Sequence, residues 1–296
     1  MEWLEAIVLG AVQGITEFLP ISSSAHLRVL PELFGWQDPG AAFTAVTHFG
    51  SALAILLYFA KDIIRIANAW LSSLTNRAAL RSDEPVTSPA SQHVGQHSRP
   101  KTWDPVDARL GWYVILGSIP IVIAGVLLED YVENEFRSLW IVGATFVVVG
   151  ILLWIADRMG RRTRGVESLN VKHAVIIGIA QVGALVPGVS RAGASISMAL
   201  FLGYKREDAA RFSLLLAIPA VLGATVFQWN DAMSGDSLYD AGPTILATVV
   251  SFVASYAAIA WLLKWLQTRS FTPFVIYRVA FGLMLLGMVA GGVLGS

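Results

Sequence analysis

The chain has 296 residues, a formal net charge of zero and no cysteine; 55% of its residues are hydrophobic and 14% charged. Soluble domains carry about 25% charged residues, so the composition is that of a chain in lipid. A neutral balance gives nucleic acid no electrostatic footprint, and thiol chemistry is excluded. Six stretches match the ~20 helical residues that cross ~30 Å of hydrocarbon: Ala41–Ala60, Leu110–Leu128, Leu139–Ala156, Phe212–Trp229, Pro243–Leu263 and Phe274–Leu294. They predict an all-α polytopic membrane protein.

Glu2 and Glu5 open the chain with no early Lys or Arg. A cleaved signal peptide begins with positive charge, so the first apolar segment is expected to stay in the mature protein. That segment, Leu4–Phe34, is interrupted by LPISSS (Leu19–Ser24). Each side of the break is too short to span. Irregular backbone at membrane depth persists only where protein buries it or a wet cavity bathes it. The pattern predicts a re-entrant hairpin of two half-helices.

Glu17 follows Gln13 by one helical turn and shares its face. A carboxylate and an amide oxygen suit Mg²⁺ or Ca²⁺, which complete their shells with phosphate and water; the plainer reading is a buried Glu paired with an Arg. Pro20 ends the first half-helix, and Ser22, Ser23 and Ser24 stand where the second should begin. One serine serves as an N-cap. Three exceed that need, and free N–H groups at a helix start also bind phosphate. His26 falls within a helical turn of Ser22 and Ser23, and a serine with a histidine in reach has the ingredients of an activated nucleophile. Arg28 is expected at the outer interface, snorkelling or steering an anion.

The first long span carries His48, read as a polar core residue or a cavity lining. Lys61–Arg109 reads as a long cytoplasmic loop, with Ser82–Pro105, rich in Ser, Pro, Gln and charge, expected to be mobile. His93 and His97 have the spacing of a helical metal pair. Pro85, Pro89, Gly95 and Pro100 surround them and oppose a helix, so they read as solvated loop histidines. Glu129–Ser138 is acidic and is expected outside. Asp157–Lys172, with Arg158, Arg161, Arg162, Arg164 and Lys172, is expected inside.

A second broken segment follows, Val171–Gly203, interrupted by PGVSRAG (Pro187–Gly193). Pro187 and Gly188 break the helix, Ser190 can cap the next, and Gly188 and Gly193 allow close backbone approach. Arg191, at a helix start deep in apolar sequence, is a fork suited to phosphate, or a partner for Glu17. Lys205, Arg206 and Arg211 read as cytoplasmic markers. Asn230–Gly242 is acidic and outside; Lys264–Pro273 is basic and inside. Arg278, near the cytoplasmic end of the last span, is expected to snorkel to the interface.

The two broken segments match at Gly10, Gln13 and Ser22 against Gly178, Gln181 and Ser190, each offset by 168 residues. Each half is one broken hairpin followed by three spans. The organisation is a single membrane domain of two inverted repeats, 1–156 and 171–296, with the 61–109 loop in the first. Such repeats place their site near the midplane, where the breaks meet. Transporters share this plan, so a flippase or secondary transporter for an anionic lipid stands beside an enzyme.

QGITEFLPISSSAHL (Gln13–Leu27), FGSALAILLYFAKDI (Phe49–Ile63), LGSIPIVIAGVLLED (Leu116–Asp130), IGIAQVGALVPGVSRAGASISMALFLG (Ile177–Gly203) and AARFSLLLAIPAV (Ala209–Val221) together resemble the undecaprenyl-diphosphate phosphatase family, the integral-membrane bacitracin-resistance type. The resemblance covers the chain apart from 82–105. It implies hydrolysis of a C55 polyprenyl diphosphate to the monophosphate and inorganic phosphate, with a divalent cation, at a site facing outward from the bacterial cytoplasmic membrane. As partners it implies the lipid substrate and membrane lipid, and it allows a homodimer. The family's [E/Q]-x-x-x-E motif falls on Gln13 and Glu17, its serine–histidine segment on Ser23 and His26, and its P-G-x-S-R motif on Pro187, Gly188, Ser190 and Arg191. Three positions depart from the usual pattern: Gln13, the less charged option; Ala192, where serine is usual; and Ser195, where threonine is usual. The resulting expectation has Ser23 as nucleophile with His26 as base or phosphate-orienting group. Ser22, Ser24, Gly188, Ser190 and Arg191 bind the diphosphate, and Glu17 and Gln13 hold the cation. Attack by a water activated by Glu17 or His26 is the other route.

Overall fold

The computed structural model describes residues 3–37, 40–75, 104–128, 131, 138–233 and 241–295. Among these residues there are eleven α-helices and no strand. The expected mobile segment 82–105, with His93 and His97, lies outside the described residues but for its last two positions. So do the two acidic loops, apart from their edges.

Both broken segments form helical pairs. The first is α1 (Trp3–Phe18) and α2 (Ser23–Phe34). Its counterpart is α7 (Val171–Val182), a 3₁₀ turn at Gly183–Leu185, and α8 (Arg191–Phe201). Five helices are long and apolar enough to cross a membrane: α5 (Pro105–Leu127), α6 (Leu139–Met159), α9 (Arg206–Met233, over its first 20 residues), α10 (Ala241–Leu266) and α11 (Thr272–Ala290). A bent pair, α3 (Gly40–Tyr58) and α4 (Ala60–Thr75), which meet at 71°, is long and apolar enough only when taken together, as one broken span or a re-entrant turn. The protein is a multi-pass, all-α membrane protein.

Helix α4 corrects the expectation of a loop from Lys61. Its charges mask a narrow apolar stripe. Ile66, Ala69 and Ser73 form its buried face, at the spacing of one side of a helix. That face lies on α5, where Trp112 Nε1 donates to Ser73 Oγ at 3.2 Å. Asp62 on its first turn accepts from Arg65 at 2.9 Å and from Arg211 of α9 at 2.8 Å. Helix α5 starts where sequence chemistry says it should: Asp104 caps the Val106 N–H at 2.9 Å and Pro105 takes the first turn.

The halves interlock. Helix α1 packs on α10, and α7 packs on α5, so each hairpin leans on a span of the other half. Matching glycines make both contacts. A Cβ on Gly10 would overlap the Ala247 carbonyl, and one on Gly178 would overlap the Gly117 carbonyl. Close backbone approach through small residues is how helices associate where lipid is as apolar as side chains. Gly178→Val should therefore pry α7 from α5. Overpacking of this kind costs about 1–3 kcal/mol, to be read as a lower thermal unfolding midpoint in detergent. Serines tie the centre: Ser255 Oγ donates to Ser51 Oγ at 2.9 Å, and Ser251 Oγ to the Thr47 carbonyl at 3.0 Å.

Candidate active site

The two breaks face each other and share a backbone device. Ser22 and Ser190 sit at φ 69° and 70°, the left-handed region, which costs a non-glycine residue about 1–2 kcal/mol. Equal strain at two positions 168 residues apart marks them as equivalent turns that re-aim the chain into the second half-helix. Ser190 caps as expected, accepting from the Gly193 N–H at 3.1 Å. Ser22 does not cap its own helix. Its Oγ accepts from the Gly188 N–H across the break at 3.2 Å and lies 3.3 Å from Ser24 Oγ.

A cavity of about 400 Å³ opens beside the breaks. Its polar wall is Glu17, Ser22, Ser23, Ser24, Ser190 and Arg191, with His48 from α3. Its apolar walls are Ile121, Val122 and Val126 of α5 and Pro219, Ala220 and Val221 of α9. Val126 of this lining and its neighbours Ile123 and Leu127 are exposed on the outside of α5.

Glu17 is the hub. Its Oε2 accepts from Ser23 Oγ at 2.6 Å and from Gln13 Nε2 at 3.1 Å, and His48 Nε2 lies 3.3 Å away. Its Oε1 pairs with the Arg191 guanidinium. The expected Glu17–Arg191 pair is therefore present, and it joins the two hairpins. A carboxylate buried in a membrane protein needs such partners. Gln13 is fully buried behind Glu17. With Nε2 committed to the carboxylate, its Oε1 faces inward with no hydrogen-bond partner.

A carboxylate at the cavity wall with serine hydroxyls beside it fits a hard divalent cation, whereas Gln13 lies outside the lining and would add its Oε1 only with the amide turned over. No group of three or more His, Cys, Asp or Glu among the described residues could hold a metal. An ion here would need phosphate oxygens and water to complete its shell, as Mg²⁺ and Ca²⁺ commonly do.

His26 departs from expectation. Its ring does not reach a serine hydroxyl. Nδ1 donates to the Ser22 carbonyl at 2.6 Å, and Nε2 accepts from the Tyr277 hydroxyl at 2.5 Å, the tautomer that a carbonyl acceptor demands. Tyr277 and Phe281 stack on the ring, with centroids 5.6 and 5.1 Å away. The histidine braces the strained Ser22 turn from behind and does not line the cavity. The side chain hydrogen-bonded to Ser23 Oγ is Glu17 instead.

Gly188 also differs. Its N–H is taken by Ser22 and its carbonyl by Arg278 at 2.7 Å, so neither backbone group is offered to a ligand. Its φ of +93° and its closeness to Thr145 and the Val142 carbonyl explain the glycine.

Arg278 does not snorkel. It is 0% exposed and is a buried cation held by carbonyls alone: Pro20 at 3.0 Å, Gly188 at 2.7 Å, and Thr145 and Phe146 each at 3.3 Å. Its guanidinium lies 5.0 Å from the Phe146 ring centroid. One side chain of α11 thereby joins both hairpin breaks to α6. Position along a span gives no hint of this, because the acceptors come from three distant segments. Arg28 pairs with Glu32 at 2.7 Å, and Arg206 with Asp157 at 2.5 Å.

Comparison with known proteins agrees over the whole length. The family model described as Bacitracin resistance protein BacA matches residues 6–284. The chain is 51% identical to an undecaprenyl-diphosphatase of Nocardioides sp. over 100% of both chains. It is 47% identical to undecaprenyl-diphosphatase 2 of Streptomyces coelicolor, covering 99% of this chain and 97% of that one. An undecaprenyl-diphosphatase of Micrococcus luteus is 45% identical over 100% of both. A match from residue 6 to residue 284, spanning both hairpins and every site residue above, makes the chain a member of the bacitracin resistance protein BacA family.

Proposed function

We propose that the protein hydrolyses undecaprenyl diphosphate to undecaprenyl phosphate and inorganic phosphate, recycling the lipid carrier for cell-wall synthesis and so conferring bacitracin resistance. The observation that carries this reading is the cavity itself: Glu17, Ser23 and Arg191 on one wall, apolar helices α5 and α9 on the others. The substrate has the same two parts. The diphosphate takes the polar wall while the prenyl chain stays among apolar side chains and lipid. The enzyme belongs in the bacterial cytoplasmic membrane as two inverted repeats, its site facing outward, with the basic 158–172 segment inside.

Phosphoryl transfer needs positioning and charge neutralisation more than covalent chemistry. Arg191 leaves Glu17 to grip the terminal phosphate with its planar fork, joined by Ser24, Ser190 and helix-start N–H groups of α2 and α8. Glu17 Oε2, already hydrogen-bonded to Ser23 Oγ, acts as base and takes its proton. The serine attacks the terminal phosphorus, the anhydride P–O bond breaks, and undecaprenyl phosphate leaves with the electron pair. Water then releases phosphate from the serine. Direct attack by a water held on Glu17 uses the same groups without the covalent step. A bound Mg²⁺ or Ca²⁺ would be held by Glu17, joined by Gln13 only once its amide turns over, and would supply charge neutralisation to the diphosphate.

The test is phosphate release from a C55 prenyl diphosphate by the purified protein, with and without EDTA. Release is expected, lost with EDTA and restored by Mg²⁺ or Ca²⁺. Ser23→Ala separates the two routes: a fall of about 10³-fold or more supports covalent transfer, and near-normal turnover sinks it. No release from folded protein would move the reading to lipid transport, assayed as flipping in proteoliposomes.

A further inference from the structure

We infer that the histidine of the reaction centre is His48, acting as a positioning residue for Glu17, and that His26 is a strut of the fold. The two rings differ in what they touch. Both nitrogens of His26 are committed behind the break, to the Ser22 carbonyl and to Tyr277, and aromatic rings close over it. His48 lines the cavity. Its Nδ1–H donates to the Thr44 carbonyl one turn earlier, at 2.8 Å, so Nε2 donates to Glu17 as the N–H of an imidazolium and the contact is an ion pair. The Thr44 bond fixes the ring so that Nε2 stands 3.3 Å from Glu17 Oε2, the same oxygen that Ser23 Oγ contacts at 2.6 Å.

Three side chains from three helices thus meet at one carboxylate oxygen: Gln13 from α1, Ser23 at the start of α2 and His48 from α3. Arg191 holds only the other oxygen, Oε1. When Arg191 turns to phosphate, Oε1 loses its partner, and the carboxylate would be free to rotate away from Ser23. His48 and Gln13 are what remain to hold Oε2 against the serine. Outer partners that orient a reacting group typically matter by 10–100-fold in activity. The inference rests on the phosphatase reading above, with Glu17 as the base.

Side-chain geometry supplies the test. The amide nitrogen of glutamine can occupy the place of histidine Nε2, and that of asparagine the place of Nδ1. His48→Gln keeps the contact to Glu17; His48→Asn keeps only the contact to Thr44; His48→Leu keeps neither. Each variant would be assayed for kcat and KM on a C55 prenyl diphosphate beside wild type, with thermal unfolding in detergent. The expected order of kcat is wild type, then His48→Gln within about fivefold, then His48→Asn and His48→Leu together about 10–100-fold down, with KM and unfolding midpoint little changed. His26→Gln is expected to lower the unfolding midpoint, and its loss of kcat to track that destabilisation. Three results would overturn the inference: His48→Leu within twofold of wild type; His48→Asn as active as His48→Gln; or a loss confined to KM. Absence of phosphate release from wild type would instead refute the phosphatase reading, independently of the order among variants.

Discussion

Arg191→Ala is expected to lower turnover by about 10³-fold or more while the protein still folds. Arginines that stabilise a transferring phosphoryl group are worth about 10³–10⁵ in rate, because charge gathers on the equatorial oxygens only as the bond breaks. Arg191 opens α8 at the break, lines the cavity, and is tied to Glu17 across the hairpin interface. Removing it leaves the carboxylate with Gln13, Ser23 and His48 as donors, so the fold retains most of its local order. Arg191→Lys keeps the charge and loses the planar fork, and should fall between the two. The measurement is phosphate release at saturating substrate, with unfolding followed in parallel. Turnover within tenfold of wild type for Arg191→Ala would contradict the phosphate clamp.

Arg278→Ala is the second large effect, and it tests geometry in place of contact. Arg278 touches no cavity atom, yet it holds Pro20 and Gly188, one residue from each break, in fixed register with α6. Hydrogen bonds to a charged group contribute about 1.5–3 kcal/mol each. Removing the side chain leaves buried carbonyls unsatisfied and an empty space beside Phe146. A misplacement of about 1 Å can cost about 10²-fold in rate, so turnover should drop by at least that much and the unfolding midpoint should fall as well. Arg278→Lys retains a buried cation but reaches fewer of the four carbonyls. Its turnover should recover only in part. If Arg278→Ala hydrolyses substrate within threefold of wild type, the two breaks keep their register without it.

The distinction between the two arginines was only half legible in the sequence. Arg191 announced itself through its neighbours, Pro187, Gly188 and Ser190, because a helix break and the residue that starts the next helix are set by adjacent positions. Arg278 stands in an unbroken apolar run and resembles any interfacial arginine. Helix α4 was missed for a related reason. Lys61, Asp62 and Arg65 made its sequence look like loop, whereas Ile66, Ala69 and Ser73 lie on one face only once the chain is wound.

The histidines show the same limit. His26 lies within a turn of three serines, and a local reading pairs it with them. The fold turns the ring the other way, because Tyr277 and Phe281 of α11 offer a hydrogen bond and two stacking faces. His48 was legible only as a polar core residue or a cavity lining, since its partner Glu17 is on another helix.

What the sequence determined by itself was everything that depends on short-range pattern: the number and length of apolar runs, the two Pro–Ser interruptions, the pairing of Gly10 with Gly178 and Ser22 with Ser190, and the motifs that identify the chemistry. These follow from helix propensity, backbone restriction and the thickness of hydrocarbon. What only the tertiary structure decided was the choice of partner for each buried polar group. In lipid such a group must find a donor or acceptor within the protein, and the nearest one in space is set by which helices interlock, not by which residues are neighbours in the chain.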